Sequence, residues 1–113
     1  MDKEYDLVVI GGGSAGFSAA VNAERLGKKV CLIEKGPFGG LCILKGCMPS
    51  KTLLYTARLK ELIANAHKFG VYVDGKVKID MNHMISRKNK IVKGFADYRE
   101  EALKNKKIDF IYG

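Results

Sequence analysis

Cys42 and Cys47 stand with four residues between them in the stretch Gly39 to Lys51, which reads GGLCILKGCMPSK. Two thiols this close suit reversible disulfide chemistry. On a regular helix, residues five apart are rotated by roughly 140° and rise about 7.5 Å, which separates their Cα atoms by roughly 8 to 9 Å, beyond disulfide reach. A bond between them therefore needs a bent backbone, and Gly46 supplies the conformational freedom for it. Pro49 suits the first turn of a helix running on from this stretch. The unpaired N–H groups and dipole of such a helix start favour a thiolate there. An easily reduced disulfide with one activated thiol is a redox device rather than a staple.

The elements upstream read as positioning that stretch. Tyr5 to Ile10 (YDLVVI) is short, apolar and rich in Val and Ile, the pattern of a strand buried on both faces of a parallel sheet. Gly11, Gly13 and Gly16 follow as G-x-G-x-x-G: a tight turn, a backbone that a pyrophosphate can approach, and close packing of helix on strand. Ser14 to Leu26 is predicted as that helix, its N-terminus placed to take the phosphates, with Gly27 as its stop. Val30 to Glu34 reads as a second buried strand. Glu34 falls near the offset at which an acid takes the ribose hydroxyls of a dinucleotide, and its charge disfavours a 2′-phosphate. Cys31, alternating within that strand, reads as a small core residue.

Downstream, a helix is predicted over Pro49 to Lys68, with Tyr55, Leu59, Leu62, Ile63 and Ala66 on its core face. Val71 to Ile79 suggests a weak hairpin about Asp74-Gly75. Asp80 caps a helix to about Lys104 whose core stripe is Met81, Met84, Ile85, Val92, Phe95, Tyr98 and Leu103. Ile108 to Tyr112 (IDFIY) is a third strand. The fold class is α/β, a partial doubly wound Rossmann-like domain of three parallel strands with flanking helices.

At 113 residues, with 47% apolar residues, the chain is one small domain or part of a larger one. Its 20 basic against 12 acidic residues give a formal charge of +8, which attracts anions such as nucleotide phosphates. Arg87, Lys88, Lys90 and Lys93 read as a solvated face without interleaved aromatic residues, so nucleic acid is not an expected partner. No apolar run is long enough for a membrane span. Three cysteines without a signal-peptide pattern point to the reducing cytoplasm. No metal site is expected: His67 lacks a second His or a CxxC partner, and a structural zinc module would need four ligands where two thiols are well placed.

Taken together, YDLVVIGGGSAGFSAA, VCLIEKG and GGLCILKGCMPSK resemble the N-terminal part of the flavin-dependent pyridine nucleotide-disulfide oxidoreductases, the group of dihydrolipoamide dehydrogenase, glutathione reductase and mercuric reductase. The resemblance implies that residues 1–113 are the N-terminal segment of an FAD-binding domain, without the nicotinamide-binding and interface domains. It implies Cys42 as the interchange thiol, Cys47 as the charge-transfer thiol facing the flavin, and Lys51 approaching the flavin's reactive nitrogen. Gly11, Gly13, Ser14, Gly16, Glu34 and the adjacent Lys35 would hold the adenosine diphosphate half, with Gly40, Cys42 and Lys51 along the flavin side. The family box usually reads GGTCLNVGC; here Leu41 stands for a hydroxyl, and Leu44 and Lys45 for an Asn-Val pair. His83 does not match the family's catalytic His.

The expected function is transfer of electrons between NAD(P)H, FAD and the cysteine pair, acting on a dithiol or disulfide substrate. The dihydrolipoamide dehydrogenase branch is expected, with mercuric reductase-like and glutathione reductase-like members as alternatives. The 113-residue chain alone is expected to be inactive. A rival from another class is a basic nucleotide- or nucleic-acid-binding module. The strand order places the strand from Ile108 beside Val30 to Glu34, and that beside Tyr5 to Ile10, whose other flank lacks a neighbour; self-association is therefore expected.

Overall fold

In the computed structural model, which describes residues 3–113, the first apolar run forms strand β1, Leu7–Ile10. It is shorter than expected because the residues before it are bound differently: the Asp6 carboxylate accepts the Lys29 N–H at 2.7 Å, and the Tyr5 hydroxyl reaches Asp109. The glycines after β1 turn the chain into helix α1, Ser14–Arg25, which stops before a left-handed Gly27 (φ 74°). Strand β2, Val30–Glu34, follows. The paired cysteines lie on helices α2, Gly40–Leu44, and α3, Cys47–Asn65. A 3-10 turn, Ala66–Phe69, ends at a left-handed Gly70. Helix α4, Met81–Lys104, leads to strand β3, Ile108–Tyr112.

Several local signals act as expected. Asp80 Oδ1 accepts the His83 N–H at 2.9 Å and so satisfies one orphan donor at the start of α4. The hairpin about Asp74-Gly75 does not form: Gly75 turns the chain (φ 93°), but residues 71–80 hold no strand. An isolated two-stranded ribbon is marginal in water, and this one has no sheet to join.

The sheet is parallel in the order β1-β2-β3, with Leu7 opposite Val30 and Val30 opposite Ile108. Alternate residues therefore share a face. Val9, Val30, Leu32 and Ile108 bury themselves against Ala20 and Val21 of α1 and Leu103 at the end of α4. Full burial of a residue such as Leu32 or Leu103 contributes roughly 1.5–3 kcal/mol. The opposite face is open on the two outer strands, where Val8 is 51% exposed, Ile10 85% and Ile111 50%, while Cys31 of the middle strand, in register with Val8 and Asp109 on that face, is 1% exposed. β1 is thus not buried on both faces as its sequence suggests, because the helical layer of α1 and the end of α4 covers one side only.

The expected core stripes of α3 and α4 are corrected in the same way. Tyr55, Leu59 and Leu62 on α3, and Met81, Ile85, Phe95 and Tyr98 on α4, are exposed, and Leu103 is the one fully buried member of the second stripe. The two helices pair with each other and project from the sheet. The radius of gyration is 20.5 Å and the extents are 70 × 25 × 19 Å, against about 13 Å for a compact chain of this size. A helix with one neighbour cannot bury a full apolar stripe.

Residues 3–5 are tied to β3 by exposed contacts. Lys3 Nζ donates to Asp109 Oδ2 at 3.0 Å and the Tyr5 hydroxyl donates to the same oxygen at 2.8 Å. The Lys3 ammonium, then the Tyr5 hydroxyl, hold the Asp109 carboxyl below the usual carboxylate range, while hydrogen bonding to Asp109 pushes Lys3 and Tyr5 up. For the depressed acid, stability is present above its unfolded pKa and is lost as pH falls through the folded one; for the two raised groups it is present below their unfolded values and lost at high pH. The Tyr5 ring resonances should therefore move with Asp109 protonation below about pH 4. Asp109→Asn should remove that step; a wild-type Tyr5 signal indifferent to acid would show that the tie is not formed.

Candidate active site

The glycine turn after β1 is built by close backbone approach. Gly11 has φ 94° and donates its N–H to Ile33 O at 2.8 Å, anchoring the turn to the end of β2. A Cβ on Gly16 would lie 1.9 Å from Gly11 O and 3.1 Å from Val9 Cγ1, so α1 can sit this close to β1 only with glycine there. Gly13 differs: its φ is −69°, and a Cβ would meet only Gly40 Cα at 3.6 Å, an ordinary contact. Packing within the chain thus does not require glycine at 13. Ser14 opens α1 directly behind it, with no side-chain cap on the helix.

Glu34, at the end of β2, faces this turn. Its Oε2 accepts the Gly12 N–H at 2.6 Å, and its Oε1 accepts those of Lys35 and Gly36 at 2.9 and 3.2 Å. Three backbone donors fix the carboxylate beside the glycine turn. A cavity of about 330 Å³ opens next to it, lined by Glu34, Lys35, Gly40, Leu41, Leu44 and Lys45.

The disulfide segment adjoins the same turn. Gly40 has φ 65°, and a Cβ there would fall 2.6 Å from Gly13 Cα, so α2 starts in backbone contact with the turn. Cys42 and Cys47 are bonded, with Cα atoms 4.7 Å apart. The bend required for this is at Lys45 and Gly46: α2 stops at Leu44, Gly46 takes φ −120° and ψ −107°, and α3 starts afresh at Cys47, two residues earlier than Pro49. Gly46 is needed for room rather than for a positive φ, because a Cβ would meet Leu41 O at 3.0 Å and Cys42 Cα at 3.3 Å. Pro49 lies in the first turn of α3. Lys51 stands four residues after Cys47, one turn along the same helix face, and is exposed.

The structure therefore brings Gly11, Gly13, Ser14, Gly16, Glu34, Lys35, Gly40, Cys42 and Cys47 into one region, with Lys51 at its margin. Cys31 is separate, free and 1% exposed within β2. Two residues that sequence reasoning did not single out belong to the site: Gly12, where a Cβ would meet Phe38 Cδ1 at 2.7 Å, and Phe38 itself, 3% exposed. The run of three glycines at 11–13 is a signal for the first; no local pattern marks the second. Among the described residues there is no cluster of three His, Cys, Asp or Glu that could hold a metal ion, and no helix long and apolar enough to cross a membrane.

A model of the family described as pyridine nucleotide-disulphide oxidoreductase matches residues 5–112. The chain is 37% identical over 113 residues to a dihydrolipoyl dehydrogenase of Acholeplasma laidlawii, covering 100% of this chain and 34% of that protein. It is 39% identical over 113 residues to dihydrolipoyl dehydrogenases of Chlamydia pneumoniae and of Bacillus subtilis, covering 24% of each. The chain thus spans between a quarter and a third of the length of these relatives. With a glycine turn that touches a carboxylate and the start of the helix carrying Cys42, and a family match running along nearly its whole length, the chain belongs to the pyridine nucleotide-disulphide oxidoreductase family.

Proposed function

We propose that residues 1–113 are the N-terminal segment of an FAD-binding domain in a disulfide oxidoreductase of the dihydrolipoyl dehydrogenase type, which moves electrons between NAD(H), FAD and the Cys42–Cys47 pair. The observation that carries this is the backbone contact of Gly40 with Gly13, which joins a disulfide to a dinucleotide-type turn. The residues fit FAD. The open N–H groups at the start of α1 and the Ser14 hydroxyl suit its phosphates, and glycine at 13, which internal packing does not require, suits close approach of a ligand to the backbone. Glu34 is fixed to accept ribose hydroxyls, and Lys35 stands beside it. When bound, FAD supplies a two-electron acceptor for the thiol pair.

The chain's own residues perform the exchange. One thiolate of a substrate dithiol attacks Cys42 Sγ, the Cys42–Cys47 bond breaks, and Cys47 leaves as a thiolate favoured by the N-terminus of α3. The second substrate thiolate then attacks the mixed disulfide at the substrate sulfur. Cys42 leaves and takes a proton, the substrate closes to a disulfide, and one proton passes to solvent. Two electrons have moved from substrate to the pair. Lys51, one turn into α3, places an ammonium on the Cys47 side. A disulfide that cycles in this way beside a free Cys31 suits the reducing cytoplasm.

Because the contacts in this chain serve the adenosine half, it is expected to bind ADP measurably and FAD without stoichiometric retention on purification. Glu34→Gln should weaken ADP about tenfold, the loss of a charge-assisted hydrogen bond. Absence of ADP binding, together with steeply salt-dependent binding to random-sequence DNA, would replace this reading with that of a basic nucleic-acid module.

Self-association of the chain is the partner we infer for its open surfaces. Among the described residues β1 has β2 on one flank and no strand on the other, and Val8 and Ile10 are exposed. Such an edge pairs readily with another copy. Sedimentation at micromolar concentration should show a dimer or larger species, whereas a monomer with β1 amides fully protected from exchange would mean that the edge is covered otherwise.

A further inference from the structure

Phe38 precedes the Gly39-Gly40 pair by one step and belongs neither to the glycine turn nor to the disulfide, yet it is packed against the first and the chain runs from it directly into the helix that carries Cys42. Its ring stands edge-on to Phe110 and Tyr112 of β3, with centroids 5.6 and 6.1 Å away and interplanar angles of 82° and 75°. On another side it lies against Gly12: a Cβ there would fall 2.7 Å from Phe38 Cδ1, 3.0 Å from Cε1 and 3.1 Å from Glu34 Oε2, the oxygen that accepts the Gly12 N–H. Two residues on, Gly40 abuts Gly13 and α2 begins, carrying Cys42.

We propose that Phe38 is a positioning residue that couples the glycine turn to the Cys42–Cys47 equilibrium, by fixing the turn, the Glu34 carboxylate and the start of α2 against β3. A ring 3% exposed among close neighbours cannot shift without moving what it touches. The two thiols form a disulfide as readily as the fold holds them together. Displacing α2 relative to α3 therefore lowers their local concentration and makes the bond easier to reduce. The atoms nearest a Cβ at Gly12 belong to Phe38 and Glu34 and to neither cysteine, so the double substitution separates a route through Phe38 from routes through Glu34 or the neighbouring Gly13–Gly40 contact. The identity of the nucleotide rests on the FAD reading above; the coupling itself does not.

The test equilibrates the oxidised 113-residue chain with a glutathione buffer, in which the protein disulfide and two glutathione thiols exchange for the protein dithiol and one glutathione disulfide, and reads the dithiol-to-disulfide ratio by thiol trapping. Gly12→Ala drives a methyl against the ring and should raise the ratio about fivefold, and Phe38→Leu alone about twofold to threefold. Combined, the smaller Leu makes room for the methyl, and the ratio should return to within about twofold of wild type. Phe38→Tyr, which keeps the ring, should match wild type. Variants that lower the melting temperature with an unchanged ratio would overturn the proposal by showing Phe38 to be packing alone. Should Gly12→Ala fail to fold, Phe38→Leu against Phe38→Tyr decides by the same criterion. Calorimetry with ADP separates the two claims: a shifted ratio without ADP binding removes the nucleotide assignment and keeps the coupling, and ADP binding with an unchanged ratio does the reverse.

Discussion

Alanine at Gly16 is expected to abolish the folded state of this chain. Its methyl would sit 1.9 Å from Gly11 O and 3.1 Å from both Gly11 C and Val9 Cγ1. Two of these are backbone atoms in a turn already anchored to β2, so the helix rather than the turn must move, and it carries Ala20 and Val21, which are packed against β1 and β2. Overpacking a core side chain costs typically 1–3 kcal/mol. Lifting a whole helix from its sheet costs more, about 4 kcal/mol or above, comparable with the 5–15 kcal/mol of a typical domain. A small sheet covered on one face has less than most. Urea unfolding followed by circular dichroism should show no folded baseline for Gly16→Ala. Gly36→Ala, with no atom within 4 Å of its Cβ and no positive φ, should stay within about 0.5 kcal/mol of wild type. A cooperative transition for Gly16→Ala near the wild-type midpoint would mean that α1 and β1 are not in the contact described.

Contacts of that kind explain which parts of the molecule are legible from sequence. The tight approach of α1 to β1 requires glycine within nine residues of the strand it touches, so the requirement appears as a local motif. The caps at Gly27, Gly70 and Asp80, and the disulfide with its bend at Gly46, are local in the same sense. The stripes on α3 and α4 carry a different kind of information. Their period reports that a helix has an apolar face, not that this chain contains something to cover it, and Tyr55, Leu59, Phe95 and Tyr98 remain exposed. The same holds for β1, whose apolar run shows that both faces tolerate burial while one helical layer covers only one of them. Phe38 is illegible for the converse reason. Its partners, Gly12, Phe110 and Tyr112, lie 26 residues before it and more than 70 after it in the chain, and no period or spacing links positions brought together only by the order of the sheet.

The cysteines give the second large effect. In the oxidised folded chain, a chromogenic disulfide reagent should find no rapidly reacting thiol, because Cys42 and Cys47 are bonded and Cys31 is 1% exposed. Mild reduction should release two fast thiols. Cys47 is exposed at the first turn of α3, where the helix N-terminus favours the reactive thiolate, and Cys42 is half-buried on α2. Cys31 should lag behind them by at least about a hundredfold, since it is 1% exposed and a reagent reaches it only through an opening of what covers it, and each 1.4 kcal/mol of opening free energy slows it tenfold. Cys31 occupies the centre of the fold: β1 pairs one side of β2 and β3 the other, with Val8 and Asp109 opposite it in register. Cys47→Ser should leave one fast thiol without reductant, and denaturant should bring Cys31 to the rate of the others. The sharpest reading is a peptide map of the oxidised monomer. A link from Cys31 to Cys42 or Cys47 would contradict both the Cys42–Cys47 pairing and the burial of Cys31 in the middle strand.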